Sequence, residues 1–343
     1  MMAWRTATGR TAAVLLTAVL LISLSACSPD AEPAIEFVQP PSCPAGQGVT
    51  SAGELSAALS SAEPGAVIVL ADATYSGEFT ITRSGTADAP ITLCAGPGAV
   101  LDGGSTDHGY TLHLDGASFW VIDGLTVSGG QKGVMLDRSS NNQLTGLSIS
   151  GTGDEGLHLR AGSSDNLVEG STISGTGLRS PEFGEGIYVG TAESNWCDIS
   201  DCAPDASDRN RLLGNSISAT PAESIDVKEG TTGGEIRDNR VDGAGTTAVD
   251  SLLDVKGSEW LVTGNTGTAA PIDGAQVHVI LAGWGAGNRF SANTFAVASD
   301  GYAVLLEGAA RSAGNVVECD NVATVSGAPV PAFTTNGTCR TAG

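Results

Sequence analysis

A short strand pattern, repeated eight times, most limits what this chain can fold into. Triplets of the form apolar–variable–apolar occur at Leu112-His113-Leu114, Val134-Met135-Leu136, Leu157-His158-Leu159 and Ile187-Tyr188-Val189. They continue at Ile225-Asp226-Val227, Leu253-Asp254-Val255, Val277-His278-Val279 and Val304-Leu305-Leu306. Successive starts lie 22, 23, 30, 38, 28, 24 and 27 residues apart. Period-two alternation marks a strand with one buried face. Its recurrence at a nearly fixed interval marks a solenoid. A second register runs beside it: Asn215, Asn239, Asn265, Asn293 and Asn321 each fall between one short strand and the next. Asparagine tolerates left-handed turn geometry and bonds neighbouring backbone, so these residues are expected to stack into a side-chain ladder. A propeller needs about four antiparallel strands per repeat, more than these coils can hold, and a leucine-rich repeat has denser leucines. The expected fold is all-β, a single-domain right-handed parallel β-helix over residues 43–343.

The ends of that domain are also legible. Ser51-x-x-Glu54 is a capping box, followed by Leu55, Ala58, Leu59 and Ala62 at helical spacing. An N-terminal capping helix is expected here, closing the open end of the core, with Val67-Ile68-Val69-Leu70 beginning the first coil and Ile91-Thr92-Leu93 the next. Residues 320–343 are expected to cover the far end. The intervals of 30 and 38 residues hold insertions at Gly177 to Glu185 and Glu193 to Asp208. Insertions in solenoids emerge as loops that border grooves.

Residues 1–27 read as a leader. Arg5 and Arg10 precede a short apolar stretch, Thr11 to Leu24, which ends at Leu24-Ser25-Ala26-Cys27. It is too short for a comfortable membrane span, and its end resembles the bacterial lipobox. Cys27 is therefore expected to be lipidated, and residues 28–42, rich in proline, to act as a tether. The expected location is extracytoplasmic, anchored to the cell membrane through the lipid alone, and a monomer is expected. A net charge of −22 argues against nucleic acid and against a polybasic membrane contact. Six cysteines remain. Neighbourhood along a solenoid favours Cys43–Cys94, Cys197–Cys202 and Cys319–Cys339 as disulfides of an exported chain. A zinc site is the weaker reading, since no paired CxxC or histidine partners accompany them.

With the outer residues of each triplet facing the core, the central residue and the one after the triplet face out. Adjacent strands lie about 4.8 Å apart, so His158, Arg160, Tyr188, Asp226, Lys228, Asp254, Lys256 and His278 are expected to form one patch on the central coils, beside both insertions. Two residues before their triplets stand Glu155, Glu185 and Glu223. Stacked carboxylates repel unless a cation lies among them. The column is a calcium site with oxygen ligands or a ladder neutralised by Arg and Lys. Trp196 and Trp284 read as fillers at the bases of loops.

The stretch Glu223-Ser224-Ile225-Asp226-Val227-Lys228 resembles the Glu-x-Ile-x-x-Lys stretch of the family-six polysaccharide lyases, the chondroitinase B and alginate lyase group. The opening Val67 to Tyr75, with Ala89-Pro90-Ile91-Thr92-Leu93, is similar to theirs as well. The resemblance implies calcium, with Glu223 as a ligand, Lys228 as the base and Lys256 as the neighbouring basic residue. Three departures stand out: the family has a second glutamate where this chain has Pro221, an arginine where it has Lys256, and a Ser-Lys-Ser context where it has Val227-Lys228-Glu229. The implied activity is β-elimination on a uronic-acid polymer; Asp226, Asp254 and His278, outward on the same patch, are expected to contact substrate. A lysine base requires a depressed pKa; Lys256 and Arg160 would lower that of Lys228, while Asp226 and Asp254 would raise it. His158, Tyr188 or His278 could supply the base or acid instead, as in a C5-epimerase. A non-catalytic glycan-binding or envelope solenoid is the other reading, and the strong negative charge favours it. Clustered aspartates with Gly-His-Gly, which mark family-28 glycosidases, are absent from the sequence.

Overall fold

The computed structural model describes residues 42–341. The leader with Cys27, and all of the tether but Ser42, lie outside the described residues. Three sheets of eleven, nine and eleven strands run along the described solenoid, parallel except where Ala328–Pro329 pairs antiparallel with Val322–Val325. Seven of the eight triplets share one sheet, the nine-stranded one, where they stack coil on coil with the strand Phe79–Ile81 at its N-terminal edge. Leu112 pairs with Val134, Val134 with Leu157, Leu157 with Ile187, Ile187 with Ile225, and Ile225 with Leu253. The outer residues of these six triplets are fully buried and line one continuous apolar core.

The next coil departs from the expected register. Leu253 pairs with Ala275, not Val277, so Gln276 takes the row of Asp254 and His278 the row of Lys256. The reason lies in the sequence: Ala275, Val277 and Val279 alternate without a break, and period two alone cannot say which pair faces the core. The solenoid also begins one strand earlier than expected. Gln47–Val49 pairs with Val67–Leu70, so the helix Ala52–Ser61 (α1) lies inside the first coil. Ser51 Oγ accepts from Glu54 N at 3.3 Å, and Glu54 returns its carboxylate to Thr50 N at 2.8 Å. Leu55, Ala58 and Leu59 are buried, and α1 packs against Phe79–Ile81, the strand at the sheet's edge.

All three expected disulfides are present: Cys43–Cys94, Cys197–Cys202 and Cys319–Cys339. So is the asparagine ladder. Asn215, Asn239, Asn265 and Asn293 each donate Nδ2 to the Oδ1 of the next coil's asparagine at 2.8–3.0 Å. A second ladder, Asn142–Asn166–Asn210, runs at another corner. Trp260 occupies its line further on, and its ring lies where a Cβ on Gly234 would have to go. Asn265 shows what such a residue contributes. It accepts from Asn239 N and Nδ2 and donates to the carbonyl of Ile236. Removing it strands three buried polar groups, so Asn265→Ala is expected to cost about 2 kcal/mol or more. Urea unfolding measures this, and a loss below about 0.5 kcal/mol would assign the ladder to shape rather than stability.

Candidate active site

The outward face of the nine-stranded sheet is not open to solvent in its middle. The coil carrying Tyr188 bears both insertions, one before its strand and one after it, and they wall a cleft of about 550 Å³ over the central coils. The first wall turns through Pro181–Phe183. The second carries the turn Glu193–Asn195 and the short helix Trp196–Ile199 (α2). Trp196 fills its base, with Nε1 donating to the carbonyl of Thr191 at 2.8 Å. Glu229, itself buried, accepts from the backbone N–H of Glu193 and ties this wall to the sheet.

On the cleft floor, three rows of side chains meet. The central row reads His113, Met135, His158, Tyr188, Asp226, Asp254 and Gln276. Met135, Asp226, His158 and Asp254 are buried rather than solvent-facing as expected, because neighbouring side chains and the walls close over them. Asp226, 1 % exposed, holds Lys228 Nζ at 2.6 Å and Lys256 Nζ at 2.8 Å. Lys256 also meets Asp254 at 2.7 Å, and Asp254 meets His278 Nδ1 at 2.9 Å. The expected substrate contacts Asp226 and Asp254 are thus corrected: sealed and committed to cations, they hold the site together from beneath. Lys256 is likewise an internal counter-ion, not a group lining the cleft. His278, displaced by the register shift, lies at the edge of this network, and its bond to Asp254 raises its pKa.

Lys228 does line the cleft. Burial pulls its pKa down, but Asp226, Glu185 and Asp254 win and push it well above that of a free lysine. The shift favours the ammonium form of Lys228, the opposite of what a lysine base needs. That ammonium stands 4.9 Å from the centroid of the Tyr188 ring. Gly190 lies beside the base of the Lys228 side chain. Its φ of +83° and the closeness of Thr231 and Lys228 to any Cβ there leave space for glycine alone.

Tyr188 packs edge-on against the His158 ring at 4.4 Å. Burial, then the carboxylates of Asp226 and Glu185, drive its pKa well above the ordinary tyrosine value, so it is a phenol. Among the described residues its hydroxyl has no hydrogen-bond partner. His158 is differently employed. Its Nε2 lies 2.9 Å from the carbonyl of Gly190, which only accepts, so Nε2 carries the proton. Burial lowers its pKa, and Nδ1 faces Lys132 and Glu155. It orients Tyr188 and has no free nitrogen on the cleft.

The column of glutamates is not assembled as expected. Glu155 does not join Glu185 and Glu223, because Lys132 Nζ takes it at 2.5 Å. Despite burial, His158 and Lys132 hold its pKa down at about 2. Asp226 replaces it: Glu185, Glu223 and Asp226 each offer an oxygen within 4.8 Å of the others. Burial and nearby carboxylates push Glu185 well above the usual range and Glu223 up to about 7. Glu185 Oε2 is buried and has no partner. An orphaned carboxylate oxygen among three converging acids fits a hard cation taking oxygen ligands.

The sequence reading missed Lys132, although it stands two residues before its triplet, in the same column as Glu155. It also missed what occupies Arg160. That guanidinium is held by Asp137 at 2.7 Å, and Asp137 in turn meets His113 Nε2 at 2.9 Å. Neither partner lies next to Arg160 in the chain: Asp137 is its register partner one coil earlier, and His113 lies two coils earlier in the central row.

A family model described as "Pel9A-like, right handed beta helix region" matches residues 37–173. The crystal structure of alginate lyase from Paenibacillus sp. str. FPU-7 is similar at 37% identity, with a TM-score of 0.75, over 86% of this chain and 98% of that one. A rhamnogalacturonan lyase (14% identity, TM-score 0.63, 82% and 84% of the two chains) and the pectate lyase Pel9A (16%, 0.57, 84% and 75%) share the fold. No curated protein matches the sequence.

Proposed function

We propose, from the premise that this chain belongs to the same family of right-handed parallel β-helix proteins as the Paenibacillus alginate lyase, that it is a polysaccharide lyase cleaving a uronic-acid-containing polymer by β-elimination. The observation that carries this reading is the unpartnered Tyr188 hydroxyl in a cleft beside the cationic Lys228. A uronate resists loss of its α-proton while its carboxylate bears full charge. Lys228 neutralises that charge and so acidifies the C5–H bond. Tyr188 takes the C5 proton in its minor phenolate form, which burial, Asp226 and Glu185 disfavour and rising pH restores. The C–H electrons form the C4–C5 double bond, and the C4–O bond breaks. The leaving oxygen then recovers the proton from the Tyr188 hydroxyl on the same face of the sugar. Lys228 therefore acts through its charge in this proposal and not as the base.

Glu185, Glu223 and Asp226 would hold a divalent cation, calcium by its preference for oxygen ligands. Such an ion, when bound, supplies further positive charge toward the substrate carboxylate. The protein itself would lie outside the cytoplasm, tethered through a lipidated Cys27; three disulfides in one chain suit an oxidising compartment.

The test is the ultraviolet absorbance of the unsaturated uronate, followed on a panel of uronate polymers with added calcium or chelator. Absorbance should grow on at least one polymer. No growth on any, with solvent deuterium entering at C5, would make this a C5-epimerase. No growth and no exchange, with glycan bound, would make it a binding solenoid.

A further inference from the structure

Exposed apolar side chains are few on the described surface, and two of the four largest, Leu178 (63 % exposed) and Phe183 (52 %), lie on the first wall of the cleft. Scattered exposed hydrophobics need no explanation. Phe183 differs from Leu178 in one respect: it lines the same cleft as Tyr188 and Lys228.

The segment that presents it is unusually well braced. Leu178 N donates to the carbonyl of Thr152 at 3.1 Å, and Arg179 N to that of Gly153 at 2.8 Å. The Arg179 Nε donates to Asp154 Oδ1 at 3.1 Å, and a second Arg179 nitrogen takes the other oxygen of the same carboxylate. Asp154 is buried and is held in turn by Gln131 Nε2 at 2.8 Å. Thr176 Oγ1 closes the base of the loop by donating to the carbonyl of Gly184 at 2.6 Å. Pro181 fixes the turn that carries Phe183. A mobile loop tip needs none of this. Bracing that ends in a bare phenyl ring over a substrate cleft is what a stacking platform requires, because a rigid aromatic loses little conformational entropy on binding.

The geometry points to Phe183 as a positioning residue, a platform on which the apolar C–H face of a pyranose ring stacks beside the reacting uronate. Arg179 and Asp154 are its struts. This rests on the reading of the cleft as a polysaccharide site. The phenyl ring stays clear of the reacting atoms and acts on binding alone. Its contribution therefore appears in KM rather than kcat.

Phe183→Ala is expected to raise KM for polymer about tenfold, with kcat within about twofold of wild type. Phe183→Tyr, which keeps the ring, is expected to restore KM. Calorimetric titration of saturated uronate oligosaccharide into Tyr188→Phe protein, with and without Phe183→Ala, should show the same loss without turnover. An unchanged KM and unchanged binding in Phe183→Ala, from a wild type that turns over polymer, would overturn the platform and leave the lyase reading intact. A wild type inactive on every uronate polymer would instead defeat the lyase reading. The same titration with wild-type protein would then decide the platform by whether glycan binding needs Phe183. Loss of kcat alone would also overturn it, since that pattern belongs to a residue touching the reacting atoms.

Discussion

Tyr188→Phe protein will bind uronate polymer as wild type does and lose about three orders of magnitude in kcat. The substitution removes one oxygen. It leaves the ring edge-on to His158 and beneath Lys228, so the packing of the floor is unchanged. Wild-type kcat should rise with pH through the alkaline range without levelling below the ordinary tyrosine pKa, because burial, Asp226 and Glu185 all disfavour the phenolate. Lys228 supplies the complementary check. Lys228→Arg keeps the charge and cannot serve as a base at accessible pH. If charge is its role, the arginine variant retains a measurable fraction of activity where Lys228→Ala retains none. A Tyr188→Phe variant with more than a tenth of wild-type turnover would take the proton away from Tyr188. An inactive Lys228→Arg beside an active Tyr188→Phe would return it to the lysine.

The fold was readable because its determinants are local and repeated. Each triplet states its own strand, and each asparagine its own turn. Register failed only where Ala275, Val277 and Val279 offered two equivalent alternations. The rows were readable for the same reason, and they correctly gathered Tyr188, Asp226 and Lys228. What the rows could not tell was which side chains the insertions would cover. Solvent exposure of Asp226 was inferred from period two alone, whereas its burial depends on Lys228, Lys256 and the walls. The sign of the Lys228 shift was open in the sequence because it depends on distances. At 2.6 Å, Asp226 outweighs the like charge of Lys256. The carboxylate cluster was misassigned for a similar reason. Glu155 lies in the right column, but Lys132, one coil earlier, had already taken it.

That cluster gives the protein an uncommon pH profile of stability. Glu223 has its folded-state pKa raised to about 7, from about 4.3 in the unfolded chain. A raised carboxyl binds more protons folded than unfolded, so its stabilising effect is complete below the unfolded pKa and is lost as pH climbs through the folded one. From about pH 4.5 to 8 wild type should therefore lose on the order of 3 kcal/mol through this residue. That is about 6 °C in Tm for a domain of this size. Glu185 adds in the same direction. Glu155 and Asp254, both held down at about 2, work oppositely: their contribution is present above the unfolded carboxyl pKa and disappears as pH falls through about 2. Stability should thus peak on the acid side of neutrality. Glu223→Gln keeps the shape without the charge, so its melting temperature should fall less than that of wild type between pH 4.5 and 8, by the share that Glu223 carries. Calcium separates repulsion from ligation. If the three carboxylates bind it, millimolar calcium at pH 8 raises the wild-type Tm, a chelator reverses the gain, and Glu223→Gln responds weakly. Equal slopes for the two proteins would mean that Lys228 and Lys256 already neutralise the cluster. A calcium response surviving in Glu223→Gln would move the ion elsewhere.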